Sequence, residues 1–133
     1  MDKLKTHMDK KVILIIDDSE TSVLLVKSMF ELSGDFQVES LNTAVNAEKK
    51  ILSLKPDLIL LDIMMPELDG ISFLKTIKNR AEIKEIPVII VSAVENSNEV
   101  QAAMEYGAQD YVLKPIGLNK LFSRVSNYLK KTI

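Results

Sequence analysis

Five side chains that can carry charge or react stand at the ends of short apolar runs. Asp17 and Asp18 follow Val12 to Ile16, Asp62 follows Leu58 to Leu61, and Ser92 follows Val88 to Val91. Lys114 follows Tyr111-Val112-Leu113 and is itself followed by Pro115. Three carboxylates brought together repel, raise one another's pKa values and titrate as a coupled set. A hard divalent cation removes that conflict, because carboxylate and carbonyl oxygens suit Mg2+, which keeps some waters and leaves room for phosphate oxygens. A nearby lysine can neutralise an incoming phosphoryl group as a point charge, and a serine hydroxyl can bond to one of its oxygens. A carboxylate can also act as the nucleophile and form an aspartyl-phosphate. Phosphoryl transfer needs mainly alignment and charge neutralisation, which this set supplies.

Each residue taken singly has a plainer reading. Asp17-Asp18 suits the first turn of a helix, where capping and the dipole favour acids. Asp62 could solvate a turn, Ser92 could cap one, and Lys114 could be a surface lysine. Chance rarely puts acid, acid, hydroxyl and lysine at successive strand ends, so the joint reading is preferred.

The elements that must position these groups follow from hydrophobic pattern. Val12 to Ile16, Leu58 to Leu61 and Val88 to Val91 are uninterrupted and rich in β-branched residues, as strands covered on both faces are. Phe36-Gln37-Val38-Glu39 alternates, which suits an edge strand, and Tyr111-Val112-Leu113 is a shorter fifth candidate. Between the runs the period becomes helical. Leu25, Met29 and Leu32 form one stripe, widened by Val26 and Phe30; Ala44, Ala47, Ile51 and Leu54 form a second. Ile71, Leu74, Ile77 and Ala81 form a third, and Val100, Ala103, Met104 and Gly107 a fourth. Leu118, Leu121, Phe122, Val125 and Leu129 form the fifth, with Lys120, Arg124, Lys130 and Lys131 off it. Gly34-Asp35, Pro56, Asp69-Gly70, Pro87 and Gly107 fall at the expected boundaries. Five βα units in sequence, joined by right-handed crossovers, predict an α/β fold: a three-layer, doubly wound (βα)5 sandwich around a five-stranded parallel sheet. In such a sheet a ligand binds beyond the carboxyl ends of the strands, where all five groups converge.

Totals exclude several alternatives. A chain of 133 residues favours one domain with a sizeable core. With 17 basic and 19 acidic residues the net charge is -2, so bulk charge points to no direct nucleic-acid or membrane partner. Cysteine is absent, which rules out disulfides and thiolate metal sites and fits a cytoplasmic location. The apolar runs fall far short of the ~20 residues that cross a bilayer. The polar, basic start has no apolar core and is not a secretory signal. Residues 1–10 are expected to be a flexible N-terminal extension and 11–131 the folded domain. His7, the only histidine, lies in that extension and takes no catalytic role.

Ile15-Ile16-Asp17-Asp18, Leu60-Leu61-Asp62-Ile63-Met64-Met65-Pro66, Asp69-Gly70, Val91-Ser92-Ala93 and Tyr111-Val112-Leu113-Lys114-Pro115 resemble, in order and separation, the motifs of response-regulator receiver domains. The resemblance covers about Lys11 to Lys131. It implies a sheet order of 2-1-3-4-5 and a phosphorylation-activated switch in two-component signalling. Asp62 would be the phosphoacceptor, taking its phosphoryl group from a sensor histidine kinase or phosphotransfer protein. Mg2+ (or Mn2+) would be held by Asp18, Asp62 and the backbone carbonyl of Met64, with Asp17 contributing through water or charge. Lys114 would contact the phosphoryl group, and the Lys114-Pro115 peptide bond would be cis. Ser92 would be the switch hydroxyl and Tyr111 the rotating aromatic. The face built by the fourth helix, fifth strand and fifth helix would engage a downstream protein, as a monomer or a phosphorylation-dependent dimer. Serine stands at Ser92 where threonine is more frequent in the family. Met64 and Val94, at positions that tune access of the attacking water, are both apolar, so self-dephosphorylation is expected to be slow.

Such a module catalyses only its own phosphorylation and dephosphorylation. Few residues follow the last helix, so a stand-alone regulator, a phosphorelay intermediate and a receiver cut from a larger regulator or hybrid kinase all fit. A metal-dependent phosphatase would usually carry an acid two residues after its nucleophile, where this chain has Met64. A flavodoxin-like cofactor binder would present a Ser/Thr/Gly-rich phosphate loop, whereas Asp17-Asp18-Ser19-Glu20 is acidic. No Walker-type glycine loop is present.

Overall fold

The computed structural model describes residues 10–65, 68–93, 95 and 97–130. Residues 1–9 of the expected extension, with His7, and Pro66, Val94 and Lys131 lie outside the described residues. In chain order the elements are β1 (Lys11–Ile16), α1 (Glu20–Leu32), β2 (Phe36–Leu41), α2 (Ala47–Leu54), β3 (Leu58–Leu61), β4 (Met64–Met65), β5 (Leu68–Asp69), α3 (Gly70–Lys78), β6 (Val88–Ser92), α4 (Ser97–Glu105), β7 (Asp110–Leu113) and α5 (Leu118–Lys130). Five strands form one parallel sheet in the order β2-β1-β3-β6-β7. Because β4 and β5 make only a small antiparallel ribbon of their own, this is the expected 2-1-3-4-5 order.

The apolar runs are continuous because both faces of the sheet are covered. Leu14, Ile16, Ile59, Leu61, Val88 and Ile90 pack with Ile51 of α2 and Leu74 and Ile77 of α3. Their neighbours Ile13, Ile15, Leu58, Leu60, Ile89 and Val91 point the other way, onto Val26 and Phe30 of α1 and Leu121, Val125 and Leu129 of α5. Each such side chain, fully buried, contributes about 1.5–3 kcal/mol. Phe30, Phe36 and Phe122 close this second layer as a ring cluster, with centroids 5.1 to 5.7 Å apart.

The first helix departs from the expected stripe. Ser22, Val26 and Phe30 face the sheet, whereas Leu25 is 43% and Leu32 86% exposed. Leucines at helical spacing fit the period equally well, but a helix presents only one stripe to the core. Docking of Phe30 between Phe36 and Phe122 selects the rotation. Two further helices depart from the expected stripes: Ala81 is exposed and follows the end of α3, and Met104, within α4, is 43% exposed. Ala44 is buried as expected but precedes α2.

Helix ends are set locally. The Ser19 side chain accepts from Ser22 N and caps α1, and Asp69 accepts from Ile71 N and Ser72 N and caps α3. Gly107, at φ +107°, closes α4 in a conformation that favours glycine. Along the rim strand β2, Glu31 Oε2 accepts from Val38 N at 3.2 Å. No helix among the described residues is long and apolar enough to cross a membrane.

Candidate functional site

The sheet ladder continues one residue beyond each key strand and so fixes the backbone of the groups that follow. Asp17 N donates to Leu41 O at 3.0 Å, Asp62 N to Ile16 O at 3.0 Å, and Lys114 N to Ser92 O at 2.9 Å. Asp17, Asp62 and Lys114 therefore project from three parallel strands onto one edge. Asp18 is exposed beside them, and one carboxylate oxygen from each of Asp17, Asp18 and Asp62 lies within 4.8 Å of the others.

Asp17 is only 1% exposed and Asp62 only 5%. Asp17 Oδ1 accepts from Ser19 N at 2.9 Å, and Asp62 Oδ1 accepts from Met64 N at 2.8 Å. Their other oxygens face one cation: Lys114 Nζ lies 2.9 Å from Asp17 Oδ2 and 3.1 Å from Asp62 Oδ2. The contact with Asp62 is a hydrogen bond; that with Asp17 Oδ2 is close but poorly aligned, and this buried oxygen has no hydrogen-bond partner among the described residues. Burial pushes the Asp17 carboxyl above its ordinary value; the Ser19 amide and Lys114 oppose this and the Asp62 charge adds to it. Burial alone would lower the Lys114 ammonium, but its close contacts with the charged carboxylates of Asp17 and Asp62 outweigh that and hold it above its ordinary value. One ammonium against three carboxylates leaves two negative charges unbalanced. A buried carboxylate oxygen without an aligned donor, in an all-oxygen set carrying that excess, fits a hard divalent cation.

Ser92 ends β6 fully buried, and its Oγ has no aligned hydrogen-bond partner among the described residues. Tyr111, on β7, is partly buried against the core. Burial raises its hydroxyl pKa, as do the carboxylates of Glu99 and Asp62, while the Ser92 hydroxyl works the other way. Met64 opens β4, two residues after Asp62, and is 63% exposed. The peptide bond between Lys114 and Pro115 is cis. The acidic corner opens into a groove of about 520 Å³ whose walls include Glu20, Val23, Leu24 and Lys27. A larger cleft, about 750 Å³, lies along α3, away from these groups, and its Arg80 is already paired with Glu48 and Glu82.

The structure thus gathers Asp17, Asp18, Asp62 and Lys114 directly, with Ser92, Tyr111 and Met64 on adjoining segments. Two contributors carry no signal of their own in the sequence: Ser19, which holds Asp17 through its amide, and Glu99, whose charge reaches Tyr111. Asp69-Gly70 marks a helix start and matches the family's motif, and the approach of Gly70 to Ile63 adds a contact that the sequence does not show.

A parallel α/β sheet with an acidic, lysine-bearing pocket at its carboxyl edge defines a phosphate- or metal-handling module of the doubly wound class. Residues 13–126 match the response regulator receiver domain, and the chain belongs to that family, the receiving modules of two-component signalling. It is 34% identical over 125 residues to the alkaline phosphatase synthesis transcriptional regulatory protein PhoP of Bacillus subtilis, covering 94% of this chain and 50% of that protein. The chain therefore spans about half the length of that relative. It is 31% identical over 121 residues to the polar-differentiation response regulator DivK of Brucella ovis, covering 90% of this chain and 96% of that protein. The crystal structure of the Mn2+-bound form of response regulator Rcp1 superposes with a TM-score of 0.77 at 30% identity, covering 90% of this chain and 94% of that one.

Proposed function

We propose that residues 11–131 form a phosphorylation-activated receiver that accepts a phosphoryl group on Asp62 from a phosphohistidine of a sensor kinase or phosphotransfer protein, in the cytoplasm. The observation that carries this reading is the meeting of Asp17, Asp18 and Asp62 oxygens within 4.8 Å around an ammonium that balances only part of their charge. Mg2+, or Mn2+ as in the Rcp1 structure, would be held by Asp17, Asp18, Asp62 and the Met64 carbonyl. When bound it would neutralise the carboxylate excess and the oxygens of the incoming phosphoryl group.

The chain's own residues supply the rest. Met64 N holds one oxygen of Asp62, which orients the carboxylate towards an approaching phosphorus. Asp62 forms the new O–P bond as the N–P bond of the donor breaks and the departing imidazole keeps the electron pair and takes up a proton. Lys114 exchanges a carboxylate oxygen for a phosphoryl oxygen. Ser92, with an unused buried hydroxyl, turns to donate to the phosphoryl group, and Tyr111 follows into the space it leaves. Phosphorylation acts to the extent that it stabilises this rearranged state over the resting one. The face of α4, β7 and α5 then presents a changed surface to a downstream protein or a second copy.

The test is mass analysis after incubation with Mg2+ and either a phosphorylated kinase or a small acyl phosphate. One phosphoryl group should be gained by the wild type, none by Asp62→Asn, and none in the presence of a chelator. Normal labelling of Asp62→Asn would overturn the assignment.

A further inference from the structure

Gly70, the first residue of α3, lies against the backbone of the loop that carries Asp62. A Cβ on Gly70 would sit 2.4 Å from Ile63 Cα, 2.5 Å from its Cβ and 2.7 Å from its Cγ2. Carbon atoms in good contact are about 3.5–4.0 Å apart, so this is overlap with main chain that no rotamer of Ile63 relieves. Ile63 has little room to retreat, being 7% exposed and packed in the cluster that holds Met65, Phe73 and Leu74.

The neighbours of Ile63 are the residues at stake. Asp62 precedes it and Met64 follows it, tied together by the bond from Met64 N to Asp62 Oδ1. Met64 pairs with Asp69 and Met65 with Leu68 in the β4–β5 ribbon, and Asp69 caps α3. Loop, ribbon and helix start therefore close on themselves, and the Gly70–Ile63 approach is a tight point of that closure. On the sheet side Asp62 N is held by Ile16 O, so a push on Ile63 is taken up at the Ile63–Met64 peptide.

We infer that Gly70 is a positioning residue for the metal and phosphoryl site, acting through Ile63 to set the Asp62 carboxylate and the Met64 carbonyl. This rests on the proposed function above. A glycine needed only for packing would affect stability and leave the affinity of the folded protein unchanged.

The experiment compares wild type, Gly70→Ala and Ile77→Ala, the last a fully buried residue further along the same helix. Mn2+ binding is read from the free-ion paramagnetic resonance signal at a temperature where circular dichroism shows each protein folded. Gly70→Ala is expected to bind Mn2+ about tenfold or more weakly, as when an outer support of a metal ligand is lost. Ile77→Ala should melt earlier yet bind as wild type does. A folded Gly70→Ala with wild-type affinity overturns the inference. Should Gly70→Ala not fold, Ile63→Ala probes the same contact by opening a gap, and a folded Ile63→Ala with wild-type affinity overturns it equally. If the wild type binds no Mn2+, the functional reading fails and this inference with it, an outcome distinct from equal binding by wild type and variants.

Discussion

Lys114 Nζ stands 2.9 Å from Asp17 Oδ2 without the alignment of a hydrogen bond, although both groups are held by main-chain bonds at their own strand ends. The pair is a charge contact imposed by the sheet, and the ammonium is shared with Asp62. A cation entering this corner meets an oxygen that is only partly balanced and not committed to a hydrogen bond.

Replacing that lysine tests the balance. Lys114→Met leaves two buried carboxylates facing each other, and loss of one partner from a buried ion pair costs about 3 kcal/mol. Without metal the variant should melt well below the wild type, and saturating Mg2+ should recover most of the difference by binding the folded form. Phosphoryl incorporation should become slow even with Mg2+. Equal melting of both proteins in chelator would show that the ion pair carries no stability.

Met64 concerns the lifetime of the phosphorylated form. The residue is 63% exposed beside Asp62, and its side chain offers no polar atom able to orient a water strongly. Met64→Asn should shorten the lifetime several-fold, followed as decay of the phosphoryl label after donor removal. An unchanged or longer lifetime counts against the expectation of slow self-dephosphorylation.

Asp69 gives a pH signature. Hydrogen bonds from the Ser72 hydroxyl and amide, with those from Ile71 and the charge of Lys75, hold its carboxyl below the ordinary 3.8. A folded pKa below the unfolded one means that the contribution is complete above about 3.8 and fades as pH falls through the folded value. Asp69→Asn keeps a capping oxygen but loses the charge, so the wild type should be the more stable at neutral pH, by about 0.5 kcal/mol for so exposed a group. Thermal melts should converge as pH drops through the acid range; a gap independent of pH contradicts this origin.

The rotation of α1 gives a packing test. Phe30→Ala empties a slot between two rings and should cost about 3–5 kcal/mol in denaturant unfolding. Leu32→Ala removes an almost fully exposed side chain and should stay within about 0.5 kcal/mol. A large loss at Leu32 would mean that the stripe Leu25, Met29, Leu32 is the buried one after all.

That pair of residues also marks where sequence reading stops. The strands were legible because a run covered on both faces leaves no polar positions: Leu58 to Leu61 matches β3 residue for residue. Their carboxyl ends then located Asp17, Asp62, Ser92 and Lys114 together. The rotation of α1 was not legible, since Leu25 and Leu32 satisfy the helical period as well as Val26 and Phe30, and only partners distant in sequence decide between them. Gly70 was legible as a helix start, but its contact with Ile63 exists only once the ribbon has folded back. The burial of Asp17 and Asp18 was not legible from their adjacency; one lies 1% exposed and the other is open to solvent.

The bond from Val38 N to Glu31 Oε2 bears on how this molecule behaves in a crowd. An outer strand with bare amides invites a neighbour to extend the sheet, and an occupied amide does not. With a glutamate seated on the rim of β2, an incoming strand would have to displace a carboxylate before it could zip on. Copies that meet at this side are thereby steered away from sheet growth along β2.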